Sequence, residues 1–284
     1  MGFHMELSGR IIQDIEEFST LPTVYSSLID VLADPQSTIQ EVSDIIACDQ
    51  ASTWKVLKIV NSPFYGFPGQ IDTISRAVVI LGYNEIYNLI LSSYLIDFFS
   101  QKGSAWDFRP VDFWSHSIGV GIAAKYLGRT LGLTKQENYF IAGILHDIGR
   151  LVFFEFAEDQ FSKALEISRK NRQLLQGGEL AVFGMDHAQT GAVIAERWGL
   201  PLSIINAIRY HETGIVPGIP DPLVAVVHLG NILVRALELG HPGDDFIPQP
   251  NQEALKILHL KPGSLHSMVP DLLKDHKDIC QVLL

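Results

Sequence analysis

Apolar residues recur along this chain at three- and four-residue spacing, broken by short polar stretches, which is the period of helices that each bury one face. In the first hundred residues the segments are short. Ile11, Ile12 and Ile15 open an amphipathic turn that Leu21-Pro22 ends, because proline donates no backbone hydrogen bond and restrains its predecessor. Val24, Leu28, Val31 and Leu32 resume the period as far as Asp34-Pro35. Thr38 and Glu41 have the spacing of a capping box and predict a helix through Ile46; Asp49 caps the next, which carries Trp54, Leu57, Ile59 and Val60 to Asn61-Ser62-Pro63. Ile74, Val78, Val79 and Leu81 lead to Gly82, and the run from Asn84 to Phe99, apolar on several sides, predicts a centrally buried helix. The aromatic turn Phe64-Tyr65-Gly66-Phe67-Pro68-Gly69 reads as a cap over the core, with a partner-binding surface as the alternative.

Gln101-Lys102-Gly103-Ser104 interrupts the pattern and divides the chain near residue 105, giving an N-terminal helical subdomain, 1–105, and a second helical subdomain, 106–284. Helices are predicted over about 111–131, 134–154, 158–172, 186–198, 201–211 and 221–239, with one or two more towards the C-terminus. Their limits are marked by Thr134 with Glu137, Asp186 with Gln189, Gly199-Leu200-Pro201, Asp221-Pro222 and Gly240. No alternating run of β-branched residues lies between turns, so the expected fold class is all-α, and no internal repeat or low-complexity tract is evident.

Composition narrows the classes. A chain of 284 residues with 47% hydrophobic content buries a substantial core without staples. Its two cysteines, Cys48 and Cys280, make no disulfide framework, and no stretch reaches the roughly 18 apolar residues of a membrane span, so a cytoplasmic protein without membrane contact is expected. A formal net charge of −11, with 12 acidic against 5 basic residues up to Ala105, argues against nucleic acid as a partner, because clustered Lys and Arg supply that affinity.

The chemistry is concentrated in histidines set into apolar stripes. Phe113, His116, Val120, Ala123 and Leu127 share a helix face; His211 follows Ile204, Ala207 and Ile208; His228 sits between Val224 and Ile232; His187 stands in a first turn behind Asp186. His146 and Asp147 interrupt the apolar run Ile141–Arg150, about 100° apart if that run is one helix. Read singly, each histidine is a core imidazole hydrogen-bonded to backbone or water. Read together, five of the chain's 10 histidines on successive buried faces are explained by a divalent metal that takes their lone pairs, with Asp147 supplying negative charge. Five imidazoles and one carboxylate exceed a lone tetrahedral zinc and suit a first-row metal of higher coordination number, or two metals bridged by the carboxylate.

A histidine on a leading helix, His146-Asp147 on a later one and histidines on the helices beyond resemble the HD superfamily of metal-dependent phosphohydrolases, which are all-helical. Leu21-Pro22, Asn61-Ser62-Pro63-Phe64-Tyr65, Ile80-Leu81-Gly82, His146-Asp147-Ile148-Gly149, Asp186-His187 and Trp198-Gly199-Leu200-Pro201 are similar, more specifically, to the HDOD family of HD-related output domains in bacterial signalling proteins, over about residues 15 to 240. The resemblance implies an HD-like core after an N-terminal helical subdomain. It also implies a metal set of His116, His146, Asp147, His187 and His211, with His228 at the place of a closing aspartate. The Gly-Tyr-Pro signature of the cyclic-dinucleotide phosphodiesterases is absent after His211-Glu212. Their lysine is replaced by Arg150, a phosphate-contact candidate whose alternative is a helix-surface ion pair.

The implied function is a non-catalytic regulatory or interaction module that retains one or two ions of iron, manganese, nickel or zinc. No receiver or sensor segment is legible beside these helices, so its partners are expected to be signalling proteins acting in trans, with a nucleotide as the ligand class. The alternative is a metal-dependent phosphohydrolase acting on a nucleotide or cyclic dinucleotide, with Asp147 bridging metals and Arg150 near the phosphate.

Overall fold

The computed structural model of the chain describes residues 27–28, 31, 37–100, 108–133, 137–260, 263 and 265–284. The amphipathic turn of Ile11, Ile12 and Ile15, the stop at Leu21-Pro22, most of the second helix with Asp34-Pro35, the break at Gln101–Ser104 with its boundary near 105, and the cap at Thr134 lie outside the described residues. Among the described residues the structure is helical with no strand; Val216 and Ile219 form an isolated bridge. No helix among them is long and apolar enough to cross a membrane.

The described residues form two compact units, one drawn from Leu21–Phe98 with Leu273–Leu284, the other from Phe99–Leu272. Residues 273–284, which the sequence assigns to the later half, thus group with the earlier one. The sequence predicts one or two helices towards the C-terminus without a face, and the structure buries Ile279 and Leu283 there.

In the first unit, α1 (Ile39–Ala47) starts at the expected capping box: the Glu41 amide donates to Thr38 Oγ1 at 3.2 Å and the Thr38 amide to Glu41 Oε2 at 2.7 Å. It is followed by α2 (Gln50–Val60), α3 (Ile74–Leu81), capped by Thr73, and α4 (Tyr83–Phe99). Helix α4 buries Ile86, Leu89, Leu91, Leu95 and Ile96, which occupy more than one face, as its unbroken apolar run requires. The aromatic turn is fastened to this core. The Asn61 side chain clamps the Ile71 backbone, donating to its carbonyl and accepting from its amide, both at 2.7 Å. Phe64 is buried with its ring 5.1 Å from Tyr65, and the Tyr65 hydroxyl donates to Glu85 Oε1 at 2.6 Å. Burial, then the Glu85 charge, hold that hydroxyl's pKa well above its ordinary value.

The second unit contains α5 (Pro110–Thr130), α6 (Glu137–Leu145), α7 (Ile148–Phe156), α8 (Glu158–Asn171), α9 (Leu175–Phe183), α10 (His187–Arg197), α11 (Leu202–Tyr210), α12 (Pro222–Ala236) and α13 (Gln252–Ile257). A 3₁₀ turn, His266–Met268, leads into α14 (Val269–Leu283). Helix α5 packs on α6 and α12, α8 on α9, and α10 on both α7 and α11. The single helix expected over 134–154 is two, α6 and α7, separated at His146-Asp147. Helix α9 is unpredicted because Gly177-Gly178 lowers its helical propensity. In the structure Gly178 is a contact surface: a Cβ there would lie 2.1 Å from the Ala164 carbonyl oxygen, so only glycine lets α9 approach α8.

Tyr65→Phe is expected to lower stability at neutral pH by about 1–3 kcal/mol, because it removes the hydroxyl from a buried acceptor. The folded pKa of Tyr65 is raised above 10.0, so the contribution is complete below that pH and is lost as pH climbs through the folded value. Urea midpoints of wild type and variant should therefore converge in the alkaline range.

Candidate metal centre

Asp147 is where four segments of the second unit converge. It stands between α6 and α7 at φ −103°, ψ 12°, and its side chain makes no capping bond to α7, leaving both oxygens for the interior. Three histidines meet it in the same way. His146 donates its Nδ1 proton to the Gly143 carbonyl at 2.6 Å, and its Nε2 lies 3.4 Å from Asp147 Oδ2. His211, just past α11, donates Nδ1–H to the Ile208 carbonyl at 2.8 Å, with Nε2 3.2 Å from Asp147 Oδ1. His187, the first residue of α10, donates Nδ1–H to Glu179 Oε2 at 2.6 Å and sets Nε2 3.1 Å from Asp147 Oδ1. A carbonyl or carboxylate oxygen only accepts, so in each ring Nδ1 carries the proton and Nε2 is the atom presented to the aspartate. Fixing one ring nitrogen so that the other faces inward is how proteins orient metal-binding histidines.

Helix contacts make this convergence feasible. A Cβ at Gly149 would lie 2.1 Å from the His187 carbonyl oxygen, so the glycine lets the start of α7 rest against the start of α10. That brings Asp147 and His187 together. The capping box of Asp186 and Gln189 fixes the beginning of α10, with bonds of 2.8 and 3.1 Å.

The carboxylates are tied together by Arg150, which is fully buried. Its Nη1 donates to Asp147 Oδ2 at 2.6 Å and its Nε to Glu179 Oε1 at 3.3 Å; Nη2 lies 3.5 Å from Glu212 Oε1 and 3.8 Å from Asp244 Oδ2. Asp244 also pairs with Arg235 at 3.3 Å and accepts the amide of Leu175, the first residue of α9, at 2.9 Å. Glu179 Oε2 additionally accepts the His187 amide at 2.9 Å. Burial acts to raise Asp147, but Arg150 and the neighbouring histidines outweigh it and hold the carboxyl well below its usual range. Glu212 is held well below likewise, against burial, by His187 and His211. The histidines divide. Burial, then His146, push His116 well down, and burial lowers His146. Burial also acts against protonation of His187 and His211, yet both are raised, His187 by Glu179 and Asp147, His211 by Asp147 and Glu212.

Of the residues named from sequence, His116, His146, Asp147, His187 and His211 are brought into one buried cluster, with the His116 ring 5.4 Å from that of His146. Asp147, His187, His211 and Glu212 offer ligand atoms all within 4.8 Å of one another, and so do His116, His146 and Asp147. His228 is not brought to the cluster: its Nδ1–H donates to the His211 carbonyl at 2.7 Å and its Nε2 accepts from the Asn251 amide at 3.0 Å, leaving no lone pair for an ion. Arg150 is neither at a phosphate-facing surface nor on an exposed helix face, since four carboxylates surround it. Glu212, Glu179 and Asp244 were not identified from sequence. Glu212 adjoins His211 and could have been suspected; Glu179 lies in the unpredicted α9, and Asp244 in a loop without period.

The family model of the HDOD domain matches residues 18–213. An uncharacterised protein of Treponema pallidum (strain Nichols) is 27% identical over 237 residues, which are 82% of this chain and 45% of that protein, so the chain spans less than half the length of this curated relative. Among solved structures, an HDOD domain protein of unknown function from Geobacter sulfurreducens superimposes with a TM-score of 0.80 at 24% identity, covering 99% of this chain and 98% of that one. A protein from Shewanella amazonensis SB2B described as a candidate phosphohydrolase gives 0.71 at 21% identity, covering 96% and 98%. At these identities the two structures establish a shared fold.

Glu179→Ala removes a partner of both Arg150 and His187 in a fully buried network. It is expected to cost about 3–5 kcal/mol, the scale for stranding a buried charge. Chemical denaturation of the chelator-treated variant against wild type measures this, and a loss below about 1 kcal/mol would contradict the network's role.

Proposed function

The chain belongs to the HDOD family, and from that premise we propose that it is a non-catalytic regulatory module of signal transduction whose second unit holds a divalent metal ion as a structural or sensing element. The observation that carries the metal is the common orientation of His146, His187 and His211, each with Nδ1 fixed by an acceptor and Nε2 turned to Asp147. The residues fit a cation. Asp147 Oδ1, which faces His187 and His211, is buried without a hydrogen-bond partner among the described residues, and such an atom is costly unless something takes its lone pairs. Asp147, His187, His211 and Glu212 would hold the ion, with His116 and His146 beside them; an N,O set of this kind suits iron, manganese, nickel or zinc. When bound, such an ion supplies positive charge to a carboxylate-rich interior.

The absence of turnover is supported by burial and by Arg150. The histidines and Asp147 are fully buried and the Glu212 side chain is 6% exposed, so a phosphate ester meets no accessible ligand group. The cation that could have contacted a phosphate is committed to carboxylates instead. An interaction role with signalling proteins in trans is supported by Trp54, Val79 and Ile80, which the first unit leaves exposed.

Elemental analysis of protein purified without chelator tests the proposal. Wild type should carry stoichiometric metal; His187→Ala should lose it with helical circular dichroism retained, and His228→Gln should keep it. A panel of nucleotides and cyclic dinucleotides with manganese or iron should show no hydrolysis. Turnover lost in His187→Ala would establish the phosphohydrolase reading in its place.

A further inference from the structure

Arg150 is a fully buried cation at the centre of the cluster, and its position bears on how many ions the cluster can accept. We infer that Arg150 takes the place of a second cation, so that the site accepts one divalent ion per chain. This rests on the metal reading above and adds a stoichiometry to it.

Three observations lead there. The first is the use of Asp147. A carboxylate that bridges two ions offers one oxygen to each. Here Oδ2 is taken by Arg150 Nη1 at 2.6 Å, and Oδ1 alone faces the open Nε2 atoms of His187 and His211, at 3.1 and 3.2 Å. The second is the composition of the two overlapping groups. Asp147, His187, His211 and Glu212 include two carboxylates, whereas His116 and His146 have only Asp147. Asp147 Oδ2 is the oxygen nearest His146, at 3.4 Å, and it is the one Arg150 holds.

The third is charge. Asp147, Glu179, Glu212 and Asp244 are four carboxylates linked by ion pairs to two guanidiniums, Arg150 and Arg235, which leaves two negative charges over. One divalent ion with neutral imidazoles cancels them. A second would leave two positive charges uncompensated where His116, His146 and Arg150 have no access to solvent, and a buried net charge is strongly disfavoured. The guanidinium suits this place because its planar fork sends Nη1, Nε and Nη2 to different carboxylates, which a lysine's point charge cannot do. Its proton cannot be titrated away at physiological pH, so this cation stays in place whatever the metal supply.

The test is a manganese titration of the unmodified, chelator-stripped chain, followed by electron paramagnetic resonance and elemental analysis. One tight equivalent with the six-line signal of an isolated ion is expected. Two tight equivalents with an exchange-coupled signal would overturn the inference and leave the metal reading standing. No bound manganese at all would overturn that reading and this inference with it. In Arg150→Gln, checked for retained helical circular dichroism, stoichiometry should rise from one to two with exchange coupling; a folded variant that still binds one ion would also overturn the assignment. If Arg150→Gln does not fold, the wild-type titration decides alone.

Discussion

The second unit depends on how one carboxylate divides its two oxygens. Asp147 gives Oδ2 to the guanidinium one helical turn further on and Oδ1 to imidazoles from two other helices, and this division joins α7, α10 and α11. A buried carboxylate is unfavourable by itself, and what stabilises it is the number of charged or hydrogen-bonding groups directed at it. Each of those groups has its own support: Gly143 and Ile208 carbonyls behind two of the histidines, Glu179 behind the third and behind Arg150, and Asp244 joining Arg150 to Arg235 and to the start of α9. The result is a polar interior whose members constrain one another, inside a unit that is otherwise packed with Phe, Leu, Ile and Val.

Backbone proximity makes this geometry accessible. Bulky residues at a crossing hold helix axes towards the far end of the usual range of about 8–10 Å. Gly149 against His187 and Gly178 against Ala164 remove the side chains that would impose that distance. The break between α6 and α7 contributes as well, since a continuous helix would set His146 and Asp147 on diverging directions, whereas the turn lets both reach the same interior.

Most of the fold was legible in the sequence. The capping boxes at Thr38 and Asp186, the Asp221 cap and the helical period placed their elements because these signals are local, each depending on a few neighbouring residues. Legibility failed where a residue's role is set by something distant. Gly178 signals flexibility in isolation and close packing in context. The run through His146 and Asp147 has uninterrupted helical apolarity, and nothing local announces that the polar pair occupies a turn. Of the six residues in the two groups, His116, His146, His187 and His211 were identifiable because a histidine on an apolar face is unusual, and Asp147 because it is a carboxylate in an apolar run. Glu179 and Asp244 were not identifiable, since acidic residues are ordinary in surface helices and loops, and only tertiary packing makes these two exceptional.

His228 shows a limit of reading chemistry from residue type. Its ring joins the His211 carbonyl to the Asn251 amide, while the Asn251 side chain returns to the Thr213 carbonyl at 2.8 Å. Every partner of the imidazole is main chain, and a main-chain partner is present whatever side chains evolve at positions 211 and 251. Such a histidine can be retained over long divergence without any co-varying contact, in the same register and apolar setting as a true ligand. A census of histidines across distant homologues would then overcount coordinating residues, and the error would be largest for folds like this one, in which imidazoles serve both as ligands and as braces between loops.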